Sequence, residues 1–435
     1  MSNPIPEGWS MLEMSEIITQ FQNGNAFSAK GYAPEGIPIV SMGSIQLDGI
    51  FKKDNKKIKY WNSADREKLL RYIVKPQDLI MAMTDVTPTM ELIGRACIVN
   101  ADREYLLNQR VGLIKVDEER VSKYFLAYLS NYDDWRSYCM GASGLGAQAN
   151  LGTAQILDGI VLLPPLPEQQ KIATILSSVD DVIEKTRAQI DKLKDLKTGM
   201  MQELLTKGIG HTEFKDSPVG RIPAAWDVVP VSDYVIEKRS GASLSPADFS
   251  DEGFGVIPKK AIQFGGKLIW GEKSYCTNYY AASVPKSWVN KNFMITVLRD
   301  LVPAGPSIGL IVEIEQNGDF LIAQGVYGFR LNDGLHGGYL AQLSNSDWYR
   351  KEMRKILVGS TQVHIRSSEF FDVLIPKPAL SEQVKINNAL SAIDKKVIVM
   401  KEKMAALKSV KSALMQDLLT GKVRVKLTDK ESAVV

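Results

Sequence analysis

The chain has 435 residues, of which 45% are hydrophobic and 24% charged, an ordinary composition for globular proteins. This length favours about two or three domains. The formal net charge of +3 is too small to indicate a nucleic-acid partner, so that case depends on where Lys and Arg lie. Cys97, Cys139 and Cys276 lack metal-ligand spacing and favour a reduced, cytoplasmic compartment. We expect neither a signal peptide nor a membrane helix, which needs ~20 apolar residues.

An internal repeat organises the chain. The motif Ile-Pro-x-x-Trp begins at Ile5 and again at Ile222, 217 positions later. Towards the end of each half, EQQKI at Glu168 is matched by EQVKI at Glu382, 214 positions later. Because the offset changes by so little, the halves differ only in small loops. The repeat therefore indicates duplication of one fold.

Each half has the same predicted order of elements. Short apolar runs separated by Gly, Pro and Asn indicate strands, and a helical stretch follows from Lys123 in the first half and Gly338 in the second. Prolines then mark the end of each globular segment. The predicted segments are a first domain over 1–163, a long helix over 164–210, a second domain over 211–375, a second long helix over 376–422 and a polar tail over 423–435.

The two long helices carry a seam in which apolar residues alternate in steps of four and three, the repeat of a coiled coil. Thr186 takes one seam position, and Lys197 and Lys411 take equivalent positions. The apolar seam residues are Ile172, Leu176, Val179, Ile183, Ile190, Leu193, Met200 and Leu204, then Ile386, Leu390, Ile393, Val397, Met400, Met404, Leu407, Leu414 and Leu418. We predict an α+β fold with two homologous domains joined by two long antiparallel helices in a coiled coil. The alternative is that each helix packs only on its own domain.

No catalytic motif is recognisable. The sequence has no Gly-x4-Gly-Lys-Ser/Thr phosphate loop, and its histidines lie far apart along the chain. A glycine-rich GASGLG segment at Gly141 follows a helical stretch, whereas a nucleotide loop would follow a strand. We therefore predict neither a catalytic residue nor a metal ligand, and an active site of unfamiliar pattern stays the alternative.

Several polar segments are candidate DNA contacts. Lysines can pair with phosphates, and Arg, Asn and Gln are shaped to read base edges. The alternatives are lysines that protect a sheet edge and ordinary polar turns. The candidates are Lys52, Lys53, Lys56, Lys57, Thr84, Thr87, Asn108, Arg110, Ser143, Gln148 and Asn150 in the first half, and Lys259, Lys260, Gln263, Arg299, Gln324, Ser360, Thr361, Gln362 and His364 in the second.

The helical segments also resemble a known family. PLPEQQKIATILSSVDDVIEK with LKTGMMQELLT, and the later PALSEQVKINNALSAIDKKV with ALMQDLLT, are similar to the helical regions of the specificity subunits of type I restriction-modification enzymes. The tandem layout covers essentially the whole chain. The recognition domains vary within this family, so the resemblance assigns none of the candidate contacts.

The resemblance implies a non-catalytic subunit whose two target recognition domains each read half of a split duplex DNA site. It implies that the long helices set the spacing of the half-sites and bind two methyltransferase subunits, which use S-adenosylmethionine. Motor-nuclease subunits, which use ATP and Mg, can join such an assembly. The alternative is a scaffold whose duplicated domains bind proteins. Steep loss of affinity with rising salt would favour DNA.

Overall fold

Short strands dominate the globular part of each repeat, and they form the same two sheets twice. The structure is a computed structural model that describes residues 5–53, 58–143, 149–266, 268–270, 274–300, 305–360 and 362–427. The chain divides into a first unit, Met1–Thr186 with Lys403–Val435, and a second unit, Arg187–Glu402. Each unit thus combines one copy of the globular segment with a part of each long helix.

The first globular segment contains thirteen strands among the described residues. They are β1 (Ser10–Glu13), β2 (Ile18–Asn23), β3 (Tyr32–Ala33), β4 (Ile37–Val40), β5 (Lys59–Trp61), β6 (Ile73–Val74), β7 (Leu79–Ala82), β8 (Thr84–Asp85), β9 (Ala96–Ile98), β10 (Tyr105–Leu107), β11 (Val111–Val116), β12 (Ala149–Asn150) and β13 (Ile160–Leu163). The helices beginning in this half are α1 (Lys123–Leu129), α2 (Asp133–Ala142), α3 (Thr153–Leu157) and α4 (Leu166–Leu204).

The second half repeats this order after an additional hairpin, and it has one additional short helix, α5 (Asn278–Ser283). Its strands are β14 (Phe214–Ser217), β15 (Gly220–Pro223), β16 (Asp227–Pro230), β17 (Val235–Ser240), β18 (Phe249–Ser250), β19 (Phe254–Ile257), β20 (Ser274–Cys276), β21 (Trp288–Val289), β22 (Met294–Val297), β23 (Arg299–Asp300), β24 (Ile311–Glu313), β25 (Phe320–Ile322), β26 (Val326–Leu331), β27 (Val363–His364) and β28 (Leu374–Lys377). Its helices are α5 (Asn278–Ser283), α6 (Gly337–Ser344), α7 (Asp347–Lys355), α8 (Ser367–Phe371) and α9 (Leu380–Leu419).

The sheet topology is the same in both copies. In the described part of the first unit, a five-stranded sheet has the order β3-β5-β4-β10-β6 and a four-stranded sheet has the order β2-β11-β7-β9. The second unit has β18-β20-β19-β25-β21 and β17-β26-β22-β24. In both, the pair in the middle of the larger sheet is parallel, β4 with β10 and β19 with β25. Val, Ile and Leu dominate the central strands β11 and β22, whose side chains are almost all buried.

The stretch predicted as helical after the strands is broken in both copies. α1 ends before Ser130, and α2 begins at Asp133. The Asn131 side chain donates to the carbonyl of Ala127 in α1 and to that of Ala96 in β9, both at 2.7 Å. Asn345 donates to Ala341 at 2.8 Å in the second copy. These side-chain bonds compete with continuation of the helix and place its end on the sheet.

The long helices α4 and α9 have 39 and 40 residues. In the first unit, Ile172 near the start of α4 shares a core with Leu418 near the end of α9. In the second unit, Leu204 near the end of α4 packs on the core containing Ile386 near the start of α9. The segments therefore run antiparallel within each unit, and every predicted seam residue is buried or half-buried. The predicted fold class is confirmed.

The helices also pack on the globular segments. In the first unit, Phe125 of α1 and Trp135 of α2 belong to the same core as Ile172 and Leu176 of α4. Within each unit the helices therefore pack both on the globular segment and on each other. Among the described residues, no helix combines the length and hydropathy needed to cross a membrane.

Candidate nucleic-acid interface

Polar residues of the first unit gather where several strands end. Backbone hydrogen bonds fix these ends together: Asn108 N donates to Val40 O at 3.2 Å, Met83 N to Arg110 O at 3.0 Å and Leu151 N to Met83 O at 2.8 Å. Thr84 and Asn150 are then paired directly, as partners on β8 and β12. We call Met42, Thr84, Asn108, Arg110 and Asn150 the first strand-end cluster.

The second unit has the same backbone frame. Ala323 N donates to Ile257 O at 3.1 Å, Leu298 N to Gly325 O at 3.0 Å and Ile365 N to Leu298 O at 3.0 Å. Each of these bonds corresponds to one in the first unit at an offset of 214 to 217 residues. Arg299 and His364 are partners on β23 and β27. We call Lys259, Arg299, Gln324, Gly325 and His364 the second strand-end cluster.

The two clusters expose different chemistry. In the first, Asn150 is exposed, Asn108 and Arg110 are half-buried, and Thr84 is buried with its Oγ1 2.6 Å from Met42 Sδ. In the second, Arg299 and Gln324 are exposed, and Lys259 and His364 are half-buried. Within the described residues, neither the Arg110 nor the Arg299 guanidinium has an ion-pair partner. Both are therefore available to a ligand that offers hydrogen-bond acceptors.

A buried carboxylate shapes the loop that presents Thr87 beside the first cluster. Asp85 Oδ1 accepts from both Thr87 N and Thr87 Oγ1 at 2.8 Å, and Asp85 Oδ2 accepts from Leu92 N at 2.6 Å. Burial alone would raise the pKa of Asp85, but these hydrogen bonds favour its charged form and hold that pKa below its ordinary value. Arg136 donates from Nη2 to Met90 O at the far end of the loop, at 2.6 Å, and burial lowers the pKa of this arginine to about 10.

Other predicted contacts lie near the clusters. Lys52 and Lys53 are exposed, and Lys52 N donates to Ser44 O at 2.8 Å, close to Met42. Lys260 and Gln263 are exposed beyond Lys259, and Gln263 Nε2 donates to Lys260 O at 3.1 Å. Ser360 and Gln362 are exposed in the turn that the backbone bonds between Val358 and His364 close.

Ser143 stands apart from the other candidates. It is buried, and its Oγ donates to Met140 O at 2.9 Å at the end of α2. This arrangement is unfavourable for a direct contact with DNA. Lys56, Lys57, Gln148 and Thr361 lie outside the described residues.

Sequence reasoning noted the seam lysines but missed their partners. Lys197 Nζ lies 2.8 Å from both carboxylate oxygens of Asp394 in the second unit. Lys411 Nζ lies 2.7 Å from Asp180 Oδ1 in the first unit. Asp180 and Asp394 are 214 positions apart, as are the two lysines, so each copy supplies the lysine for the other copy's aspartate. Each aspartate directly follows a seam residue in the sequence. This repeated position is the signal that could have identified the aspartates as partners of the seam lysines.

The repeated glutamate before each helix has a second missed role. Glu168 accepts from Trp9 Nε1 at 3.2 Å and forms a two-pronged ion pair with Arg424, at 2.7 Å for each contact. In the second unit, Glu382 accepts from Trp226 Nε1 at 3.1 Å and lies 3.0 Å from His211 Nε2. The tryptophan of Ile-Pro-x-x-Trp and the glutamate of the EQ motif therefore meet in both copies.

The neighbouring glutamine fastens each helix to its domain. Gln169 Oε1 accepts from Ser122 N at 2.9 Å, and its Nε2 donates to Pro164 O at 2.8 Å and Arg120 O at 3.0 Å. Gln383 accepts from His336 N at 2.8 Å and donates to Pro378 O at 2.9 Å. Both glutamines are buried.

The described residues contain no group of three or more His, Cys, Asp or Glu arranged to hold a metal ion. The cysteines are buried, and burial raises the pKa of the Cys97 thiol and raises that of Cys139 to about 12. A protonated, buried thiol is a poor nucleophile.

Comparisons with known proteins identify the family of the chain. A family model described as the type I restriction modification DNA specificity domain matches residues 6–195 and 235–409. The MjaVIII specificity subunit of a type I restriction enzyme from Methanocaldococcus jannaschii is 31% identical over 266 residues, which are 61% of this chain and 62% of that protein. That alignment thus covers less than two thirds of the relative.

Two further comparisons extend over nearly the whole chain. A protein of the same organism, named as the MjaX specificity subunit of a type I restriction enzyme, is 28% identical over 428 residues, 97% of this chain and 95% of that protein. The crystal structure of a type I restriction-modification S subunit from M. genitalium has a TM-score of 0.61 and 12% identity, covering 98% of both chains. At this identity the structural likeness establishes the fold.

Proposed function

Because the chain belongs to the family of type I restriction-modification DNA specificity domains, we propose that it is the DNA sequence-specificity subunit of such a complex. Each unit reads one half of a bipartite duplex site. One observation carries this assignment: the same backbone frame occurs twice, and it holds two strand-end clusters with different side chains. Two clusters of different chemistry on one frame are suited to two different half-sites.

The proposal includes partners, because these two units offer binding groups without a recognisable catalytic set. Two methyltransferase subunits bind the long helices and supply S-adenosylmethionine for DNA methylation. A repeat with equivalent helical surfaces can present two matching positions to one kind of partner. Motor-nuclease subunits, where present, bring ATP and Mg. This chain itself is non-catalytic.

Footprinting tests the proposed readout. The chain is combined with its cognate methyltransferase on DNA carrying the sequence that methylation mapping identifies. We expect two protected blocks separated by a gap whose sequence is indifferent. Affinity should fall steeply between 50 and 200 mM salt, because phosphate contacts release counterions. One continuous block, or affinity that is insensitive to salt, would contradict DNA reading and favour the protein-binding scaffold.

Spacing is tested by shortening both helices together. Removing residues 187–193 from α4 and 398–404 from α9 takes one heptad from each seam and leaves the register of the remaining residues unchanged. Seven helical residues correspond to about 10 Å. At ~3.4 Å per base pair this is at most about three base pairs. Methylation mapping that returns the original spacer for this variant would refute a spacing role of the helices.

A further inference from the structure

The arginine occupies a different position in each of the two strand-end clusters. Arg110 corresponds to Gly325, because each accepts the same backbone bond, from Met83 N and Leu298 N respectively. The residue after each of these donors is Thr84 in the first unit and Arg299 in the second. Each cluster therefore has one arginine at this pair of positions. It lies just before β11 in the first unit and on β23 in the second.

The surroundings of Gly325 show why the arginine of the second unit lies at position 299 and not at position 325. Gly325 has φ +87°, and a Cβ there would lie 3.2 Å from Lys259 Cδ and 3.3 Å from Arg299 Cβ. The side chains of Lys259 and Arg299 thus fill the space in front of this glycine. In the first unit, the shorter Thr84 contacts Met42, the counterpart of Lys259, and a side chain at position 110 is accommodated.

Both arginines stand on fixed backbone. Arg299 is held by pairing with His364, and the adjacent Leu298 donates to Gly325 O and accepts from Ile365 N, both at 3.0 Å. Arg110 N donates to Asn108 Oδ1 at 3.2 Å, and its carbonyl accepts from Met83 N. Because the backbone that carries each arginine is already fixed, little backbone freedom is lost on binding. The selectivity of the guanidinium is then set by the acceptors that it contacts.

We propose that Arg110 and Arg299 are specificity-determining residues that read a guanine, one in each half-site. The guanidinium fork matches the O6 and N7 acceptors of guanine in the major groove, which is the commonest specific contact between proteins and DNA. This inference rests on the proposed function. It adds that the two units read the same kind of base with arginines from different strands.

The experiment uses the chain in complex with its cognate methyltransferase, and compares Arg110→Ala and Arg299→Ala with the unaltered chain. Methylation mapping should show that each variant loses the preference for guanine at one position of one half-site, while the other half-site is unchanged. Affinity for the original site should fall roughly ten- to hundredfold. Replacing that guanine by 7-deazaguanine, which lacks the N7 acceptor, should weaken the unaltered chain but not weaken the matching variant further.

Two more variants separate base reading from phosphate binding. Arg299→Lys keeps the charge and loses the fork, so it should relax the base preference with little change in salt dependence. Lys260→Ala, which removes an exposed lysine beside the same cluster, should weaken all sequences equally and reduce the salt slope by about one. If Arg299→Ala behaves like Lys260→Ala, Arg299 contacts phosphate and the inference is wrong.

The difference in arginine position is tested with Thr84→Arg combined with Arg110→Gly, which copies the second arrangement into the first unit. Guanine preference lost in Arg110→Ala should return in this double variant. A mapped half-site without any guanine, or unchanged preferences in both alanine variants, overturns the inference while leaving the bipartite footprint intact. Loss of the bipartite footprint in the unaltered complex would instead reject the proposed function.

Discussion

The two copies of the repeat agree where the chain packs on itself and differ where polar side chains reach solvent. The Lys–Asp pairs of the seam, the Trp–Glu contacts and the helix-anchoring glutamines each occur twice with the same partners in the fold. The strand-end clusters share their backbone hydrogen bonds but differ at nearly every side chain. A duplicated binding protein can therefore diverge in what it reads while keeping the frame that holds the reading residues.

Energetics explains this division. The Lys197–Asp394 pair is largely shielded from solvent and its members lie on different helices, so a change at one leaves the other charge without its ion-pair partner. Arg299 has no ion-pair partner among the described residues, so its replacement costs little stability. If this account is right, the shared features should be equally important for stability in both copies.

The largest loss of stability is expected when the seam lysine of the second unit is replaced. The Lys197 and Asp394 side chains are only 13% and 16% exposed, so Lys197→Ala leaves a carboxylate without its cation in a largely dry seam. We expect a loss of about 3 kcal/mol in the free energy of unfolding, measured by urea denaturation. Lys411→Ala should cost a similar amount, because Lys411 and Asp180 are 11% and 17% exposed.

The control for this prediction is Lys194→Ala. Lys194 also belongs to α4, but it and its partner Asp191 are 55% and 62% exposed, so the loss should stay below about 0.5 kcal/mol. Replacing both Lys197 and Asp394 by leucine should restore most of the stability, since an apolar pair needs no compensation. Equal losses for Lys194→Ala and Lys197→Ala would show that the seam pairs are unimportant.

The second effect concerns the glutamines that fasten the helices to their domains. Gln169→Leu removes three hydrogen bonds of a buried side chain, whereas Gln383→Leu removes two. We expect losses of about 2 kcal/mol, somewhat larger for Gln169, because buried backbone groups are left unpaired. Thermal unfolding measures both. Gln170→Leu, at an exposed neighbouring position, should change stability little, and a comparable loss there would contradict the anchoring role.

The third prediction compares the side chains that pair with the repeated glutamate. Arg424→Ala removes a two-pronged ion pair and leaves the Glu168 side chain, which is 4% exposed, with the Trp9 contact. His211→Ala leaves Glu382 with the indole of Trp226 and the backbone N of Ile209. We expect the free energy of unfolding to fall by about 1.5 kcal/mol for Arg424→Ala and by about 1 kcal/mol for His211→Ala. Thermal unfolding measures both losses. Lys422→Ala, whose side chain is 67% exposed, is the control.

The sequence predicted the helices well because their pattern is long and regular. A seam in steps of four and three has one compatible structure, and the duplicated register identified the partner helix. The aspartates at 180 and 394 were missed because a charged residue next to a seam is common on solvated helix faces. The hairpin formed by β14 and β15 was missed because two strands of four residues, Phe214–Ser217 and Gly220–Pro223, carry little periodicity.

The candidate interface could be predicted only in part from the sequence. Alignment of the halves places Arg110 opposite Gly325 and Thr84 opposite Arg299, so the difference in arginine position is visible in the letters. That the two positions are neighbours is not visible, because a hydrogen bond between Met83 N and Arg110 O joins residues far apart in sequence. Residue type selected Ser143 as a contact, but its burial depends on packing against α2, which no local pattern reports.

The smallest changes in stability are expected for the side chains that donate hydrogen bonds to the two seam aspartates. Tyr128 OH donates to Asp180 Oδ2 at 2.8 Å, so Tyr128→Phe should cost about 1 kcal/mol. Gln342 occupies the equivalent position and donates to Asp394 Oδ2 at 3.1 Å, but its buried Oε1 has no hydrogen-bond partner among the described residues. Gln342→Leu removes this unpaired acceptor together with the donor, so its net effect should be close to zero. Urea denaturation of both variants makes the comparison.

The pH dependence of the same variants sharpens the test. Burial, together with the nearby Asp180, raises the pKa of Tyr128 above its ordinary value. A raised folded-state pKa stabilises the folded chain fully below about pH 10, the unfolded-state value, and this contribution disappears as pH rises through the higher folded-state pKa. The stability difference between the unaltered chain and Tyr128→Phe should therefore be constant from pH 7 to 9 and shrink at higher pH. A difference that grows above pH 10 would mean that the pKa of Tyr128 is not raised in the folded chain.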